Sequence, residues 1–206
     1  ERNGVEMYDV YTGFKWIANV MRENEGKKNY IGGGEESYGF LCEDFVRDKD
    51  AVSACVILAE IAAWAKDQGL SLYQLLQKIY VEYGFSKEKG ISVVKKGKSG
   101  AEEIEAMMKK FRENPLTEIA GSKVTYFYDY STLKGKDYAE NETVTLDMPT
   151  TSNVLQYFTE DNTKVSIRPS GTEPKIKLYV NTNASDKADA EKLNADLRVA
   201  SEALLD

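Results

Sequence analysis

"VLQYFTEDNTKVSIRPSGTEPKIKLYV", Val154 to Val180, carries two turn signals between three runs that alternate apolar and polar residues. Residues 154–159 and 163–167 repeat with the period of two that lets a strand bury one face. Glu160-Asp161-Asn162 between them is a hairpin turn signal. Arg168 to Pro174 turns the chain again, and Lys175 to Val180 is a further strand. The stretch predicts an antiparallel sheet.

Working outward, Lys123 to Tyr130 reads as another strand, rich in aromatics, and Ile91 to Lys95 as one more. Ser99 to Glu102 has capping-box form and opens a helix with Ile104, Met107, Met108 and Phe111 on its buried stripe. Pro115 lies past its end. Ser185 caps a final helix whose apolar positions include Leu193, Leu197, Ala200 and Leu204. The polar stretch from Leu133 to Thr143 reads as a long mobile loop. Residues 88–206 are therefore expected to form an α+β domain, an antiparallel sheet with helices on one face.

The first part has a different rhythm. Val5 to Val10 reads as a strand, and Thr12-Gly13 opens a helix through Phe14, Ile17, Val20 and Met21. Asn29 to Ile31 reads as a short strand entering a glycine loop. Asp50 is the expected N-cap of a core helix over 51–66, with Gly69 past its end. Ser71 to Gln74 forms a second capping box, followed by a helix to Tyr83. Residues 1–87 are expected to be an α/β layered domain. The boundary is expected in "GFSKEKG", Gly84 to Gly90, a polar, glycine-flanked linker.

Composition narrows the function. The chain has 206 residues and a formal net charge of −7. An acidic balance argues against a general nucleic-acid or membrane-surface binder, since both require a basic face against phosphate. The two cysteines, Cys42 and Cys55, lack metal or disulfide-framework spacing, which points to a reduced, cytoplasmic setting. There is no histidine, so Ser-His-Asp catalysis and histidine metal sites are absent from this chain. The longest apolar stretch, residues 51–65, is too short to span a bilayer.

Two stretches hold candidate chemistry. In "RPSGTEPKIKLYV", Arg168 offers a planar, permanently charged fork, and Ser170 and Thr172 add hydroxyls. Gly171 permits close backbone approach, and Lys175 and Lys177 share one strand face. The set makes a phosphate cup, or an ordinary turn beside a solvated lysine pair. In "YIGGGEESYGF", Tyr30 to Phe40, three glycines precede Glu35, Glu36 and Ser37. Two carboxylates repel a naked phosphate but accept well from vicinal hydroxyls. The loop suits a sugar better than a phosphate, with an acidic surface turn as the plainer reading.

Together these stretches resemble the α-D-phosphohexomutases, the phosphoglucomutase and phosphomannomutase family. "GGGEESYGF" resembles the sugar-recognition loop of the family's third domain, and "RPSGTEPKIKLY" the phosphate loop of its fourth. "YTGFKWIANVM" and "VRDKDAVSACVILAEIAAW" resemble a T-G-x-K helix start and an R-x-K-D segment in the same order. The resemblance implies that Glu35 and Ser37 hold sugar hydroxyls. It implies that Arg168, Ser170, Gly171 and Thr172 grip phosphate, with Lys177 and its neighbour Lys175 on the following strand. Lys49 of R-x-K-D is implied to face the cleft, with Lys15 and Arg47 as further candidates.

The departures are as informative. The family's phosphoserine loop, of T-A-S-H-N-P type, and its metal loop, of D-G-D-x-D-R type, are missing. Some members carry a histidine where this chain has Gly39. The resemblance therefore implies the C-terminal half of a longer mutase, itself inactive and without a catalytic residue of its own. Mg²⁺ would be bound by the missing N-terminal domains, with a sugar bisphosphate as activator and a phosphosugar as substrate. The rival expectation is a non-catalytic phosphosugar-binding module.

Overall fold

The computed structural model describes residues 3–35, 38–95, 97–171, 173–184 and 192. The chain divides into two compact units, Glu1–Lys78 and Ile79–Asp206.

The first unit contains α1 (Phe14–Asn24), β1 (Gly32–Gly34), β2 (Phe40–Cys42) and α2 (Ala51–Asp67). Helix α3 (Leu72–Tyr83) begins in it and runs past Lys78. The apolar face of α1 is the expected one, with Phe14 and Met21 buried against Leu41, and Ile17 and Tyr30 packed beside them. Asp50 caps α2 as expected, its carboxylate accepting from the Ser53 amide at 2.8 Å. Ser71 and Gln74 cap α3 reciprocally, with the Gln74 amide 3.2 Å from Ser71 Oγ and the Ser71 amide 2.8 Å from Gln74 Oε1.

Three expectations for this unit are corrected. Residues 5–10 are not a strand, because no described neighbour offers them a ladder. The strand expected at 29–31 lies instead on the glycines themselves, which pair antiparallel with β2 from Gly32↔Cys42 to Gly34↔Phe40. Helix α2 is not a core helix. Ala65 is buried, but Val52 is 74% and Trp64 54% exposed. An apolar helix needs cover on every side, and among the described residues β2 is its main packing partner.

The second unit is an antiparallel sheet with a helix on one face, as the alternating runs predict. Its elements are β3 (Phe85–Val94), α4 (Gly97–Glu113), β4 (Glu118–Ile119), β5 (Ser122–Asp129), β6 (Lys134–Asp137), β7 (Glu142–Thr145), β8 (Leu155–Thr159), β9 (Lys164–Pro169) and β10 (Lys175–Ala184). The strand order is β3-β10-β9-β8-β5-β6-β7, with β4 paired to β5, and every pairing is antiparallel. One sheet face and the stripe of α4 make the core, including Ile104, Met108, Phe111, Tyr157, Ile167, Ile176 and Leu178. Tyr157 is fully buried, and its hydroxyl donates to the Phe111 carbonyl at 3.2 Å, so its polar end is satisfied. Burial pushes its phenol pKa up.

Two stretches expected to be flexible are regular. "GFSKEKG" is no linker; Phe85 to Gly90 is the first part of β3, paired with β10 from Phe85↔Ala184 to Gly90↔Tyr179. A division at 87/88 would cut this strand. Residues 133–143 hold most of the β6–β7 hairpin rather than a mobile loop. Helix α4 opens at Gly97, two residues before the expected cap. The expected helix from Ser185 lies, apart from Lys192, outside the described residues.

The alternation of β8, β9 and β10 sorts two sets of residues. Leu155, Tyr157, Val165, Ile167, Ile176, Leu178 and Val180 turn into the core. Gln156, Ser166, Arg168, Lys175, Lys177 and Tyr179 turn to the opposite, polar face.

Candidate functional site

In the second unit, the register of β9 and β10 builds the site. Arg168 stands directly opposite Lys177, and both lie on the polar face. Two cations facing each other across neighbouring strands destabilise a sheet unless something negative lies between them. Arg168 Nη2 donates to Tyr179 Oη at 3.4 Å, while its Nε–H is buried without an acceptor among the described residues. A buried donor left unpaired is costly. Lys177 Nζ lies 5.9 Å from the centre of the Tyr179 ring.

The chain turns beyond Pro169. The Ser170 amide donates to the Lys175 carbonyl at 2.8 Å, and the Glu173 amide to Ser170 Oγ at 3.3 Å. A Cβ added at Gly171 would meet nothing within 4 Å, and its φ lies outside the left-handed region. The fold therefore does not require glycine there. Lys175 stands on the same face as Lys177 but forms an ion pair with Glu173, which lowers the Glu173 pKa. The sequence reading did not single out Glu173 as a competitor for Lys175. Thr172 lies outside the described residues.

In the first unit, the glycine run and Phe40–Cys42 form the arms of a hairpin, and Glu35 follows directly. The Glu35 amide donates to the Gly39 carbonyl at 2.8 Å, and the Tyr38 amide to the Glu35 carbonyl at 3.1 Å. The Asp50 amide donates to the Phe40 carbonyl at 3.0 Å, which brings the R-x-K-D segment beside this hairpin. Lys49 Nζ lies 3.9 Å from Glu35 Oε2, 3.3 Å from Asp48 Oδ1 and 5.9 Å from the centre of the Phe14 ring. The Glu35 side chain is 10% exposed. The Lys49 amide, donating to Asp48, holds the Asp48 carboxyl below its usual pKa.

Gly39 explains how this pair fits. A Cβ there would lie 2.4 Å from Glu35 Oε2 and 2.7 Å from Lys49 Cδ. The carboxylate and the lysine stem occupy the space a side chain would need. Lys15 is exposed, with its ammonium 5.0 Å above the Trp16 ring, and the structure does not bring it to Glu35. Arg47 pairs with Glu25 at 3.4 Å and donates to the Asp44 carbonyl at 2.7 Å, also apart from Glu35. Ser37 and Glu36 lie outside the described residues.

The second unit thus presents a turn with two facing cations, and the first a carboxylate set against a lysine at a glycine hairpin. Facing cations suit an anion, and a carboxylate suits hydroxyl donors. The chain matches two family models: phosphoglucomutase/phosphomannomutase, alpha/beta/alpha domain III, over residues 1–83, and the C-terminal domain of the same family over 91–199. It belongs to the phosphoglucomutase/phosphomannomutase family.

A phosphoglucomutase of Staphylococcus aureus (strain MRSA252) is 41% identical over 194 residues, which are 94% of this chain and 35% of that protein. A phosphoglucomutase of Staphylococcus haemolyticus is 36% identical over 186 residues, 90% of this chain and 34% of that protein. The chain therefore spans about a third of the length of these relatives. The open-form crystal structure of the exocytosis-sensitive phosphoprotein parafusin, a phosphoglucomutase from Paramecium, has a similar fold. The TM-score is 0.59 at 18% identity, over 99% of this chain and 35% of that one. Among the described residues, no helix is long and apolar enough to cross a membrane.

Gly171 supplies a discriminating test. Gly171→Ala is expected to leave the melting temperature within about 2 °C of the parent chain, since the added methyl meets open space. The same methyl stands where an anion would approach the backbone, so phosphate affinity is expected to fall severalfold. Thermal unfolding and a phosphate titration on one sample check both. Equal affinity would show that no anion approaches the backbone at Gly171.

Proposed function

We propose that this chain is the substrate-recognition half of a phosphosugar mutase. The parent enzyme moves a phosphoryl group between two hydroxyls of a hexose phosphate, glucose 1-phosphate/6-phosphate or the mannose equivalent. A serine phosphate in the remaining domains donates its phosphoryl group to the free sugar hydroxyl, giving a bisphosphate. After that intermediate turns over, the other phosphoryl group returns to serine. This chain's residues bind and orient. Arg168 and Lys177 hold the phosphate that is not reacting, with Ser170, Gly171, Thr172 and Lys175 around it. Glu35 and Ser37 accept from ring hydroxyls, and Lys49 holds the Glu35 carboxylate in place; Lys15 is a more distant candidate. Such contacts lower the barrier through orientation. The observation that carries the reading is the Arg168–Lys177 pair, two cations face to face on the polar side of the sheet.

Mg²⁺ requires several hard oxygen donors. The residues here do not suit it, because Glu35 is set against Lys49 and the turn at Arg168 is cationic. Mg²⁺ and the sugar bisphosphate activator are accordingly assigned to the parent's other domains, and no step through the metal involves this chain's residues. The same domains would cover the apolar surface of α2, and the whole enzyme would work in the cytoplasm.

The test compares binding with turnover. Titration of the chain with glucose 1-phosphate, mannose 1-phosphate and inorganic phosphate, followed by NMR, is expected to show binding of all three. A coupled mutase assay with Mg²⁺ and glucose 1,6-bisphosphate is expected to show no turnover. Turnover by a purified sample would overturn the assignment of the reacting groups to other domains.

A further inference from the structure

We infer that Tyr179 is a positioning residue that sets the geometry of both phosphate-facing cations. The inference rests on the phosphate reading of the Arg168 turn and adds to it a residue that touches no ligand.

The geometry begins with the strand register. β9 and β10 pair Lys177 with Arg168 and Tyr179 with Ser166. Alternation then puts Arg168, Lys177 and Tyr179 on one face, with Tyr179 diagonal to Arg168 and two residues along the strand from Lys177. Diagonal neighbours on a sheet are within reach of long and aromatic side chains. The contacts follow that placement. Tyr179 Oη accepts from Arg168 Nη2 at 3.4 Å, and Lys177 Nζ lies 5.9 Å from the centre of the same ring. One side chain therefore engages both cations, the guanidinium by its hydroxyl and the ammonium by its π face.

Two like charges directly opposite each other tend to splay apart. Arg168 and Lys177 would do so before any anion arrives, and the anion would then have to gather them. The ring opposes this. By taking up an Nη2 hydrogen, Tyr179 fixes the roll of the guanidinium plane and leaves Nε–H without a protein acceptor among the described residues. A neighbouring chain of hydrogen bonds stiffens the same face. Tyr130 Oη donates to Gln156 Oε1 at 2.7 Å, and Gln156 Nε2 donates to Ser166 Oγ at 3.0 Å, directly across from Tyr179.

The experiment uses this chain with inorganic phosphate as the probe. ¹⁵N-HSQC titrations follow the Arg168 Nε–H signal, assigned by its disappearance in Arg168→Lys. Tyr179→Phe removes one oxygen and keeps the ring; it is expected to weaken phosphate binding three- to fivefold and to shift the Nε–H signal before any phosphate is added. Tyr179→Leu removes both contacts and is expected to weaken binding about tenfold. In an Arg168→Lys background, Tyr179→Phe is expected to change phosphate affinity by less than twofold, because the group it positions is gone. If Tyr179→Leu does not fold, Tyr179→Phe and the double variant still decide. Equal effects of Tyr179→Phe in the two backgrounds, or none in the parent chain, overturn the inference while the phosphate reading stands. If Arg168→Ala leaves phosphate binding unchanged, the phosphate reading fails and this inference falls with it.

Discussion

Arg168→Ala is expected to lower the affinity of this chain for inorganic phosphate and for every phosphosugar by about one to two decades. The size follows from what is removed. The guanidinium supplies charge-assisted hydrogen bonds, each worth about 1.5–3 kcal/mol when the partner is ionised. Stability is expected to move the other way or hardly at all. The substitution relieves the like-charge opposition with Lys177 and removes a buried Nε–H that has no described acceptor. Lower affinity with unchanged or higher melting temperature separates a ligand contact from a structural one. The loss should be uniform across ligands, since the contact is to phosphate alone. An Arg168→Ala chain that binds phosphate as the parent does would refute the assignment of this turn.

The sequence showed most plainly what backbone and side chain agree on. β8, β9 and β10 were legible because Leu155, Tyr157, Val165, Ile167, Ile176 and Leu178 alternate with polar residues on one buried face. Asp50 and the Ser71–Gln74 pair were legible because capping is local chemistry. The second half of β3 was legible as the strand expected from Ile91, but its first half, Phe85 to Gly90, was hidden because it lies on an edge strand. Lys87, Glu88 and Lys89 stand exposed on it, and such charges keep an edge from pairing further. Its ladder with β10 rests on backbone pairing, joined by the Asn181 Nδ2–Glu88 Oε1 and Thr182 Oγ1–Lys87 carbonyl hydrogen bonds, and charge content does not announce that partner. β1 was hidden for the opposite reason, since glycine has poor strand propensity. The hairpin keeps it because Tyr30 Oη and Ile17 Cγ2 would lie 2.6 and 3.0 Å from a Cβ on Gly33.

At the site, residue types were legible and their partners were not. The reading selected Arg168 and Lys177 from a turn and an alternation, but their direct opposition depends on register. It selected Glu35 and Lys49 from separate motifs. Their approach to 3.9 Å depends on the Asp50–Phe40 backbone hydrogen bond, which no spacing rule predicts. Tyr179 went unnoticed, although it shares the period-two face with Lys175 and Lys177. A pattern gives a strand face, while the diagonal contact to Arg168 needs the neighbouring strand.

Glu35→Gln and Gly39→Ala are expected to act on one interaction by two routes. Glu35→Gln keeps the side chain's size but replaces one acceptor oxygen with a donor, so it meets hydroxyl protons with N–H. It also removes one of the two carboxylates beside Lys49, leaving Asp48. Binding of glucose 1-phosphate is expected to weaken about tenfold, one charge-assisted contact's worth, while inorganic phosphate is unaffected. Gly39→Ala leaves the charge intact and moves it. The new Cβ would lie 2.4 Å from Glu35 Oε2, so the carboxylate must shift by about 1 Å to reach ordinary contact. The methyl strikes the ends of flexible side chains rather than backbone, so the hairpin should remain folded while the carboxylate is misplaced. The loss for glucose 1-phosphate should be of similar size, and the double variant should be little worse than either single one, because both disable the same acceptor. NMR titration with glucose 1-phosphate and with phosphate reads all four chains, even at millimolar affinity. Loss of inorganic phosphate binding in either variant, or glucose 1-phosphate binding that survives both, would break the assignment of Glu35 to sugar hydroxyls. Additive losses would mean that Gly39 acts on something other than the Glu35 carboxylate.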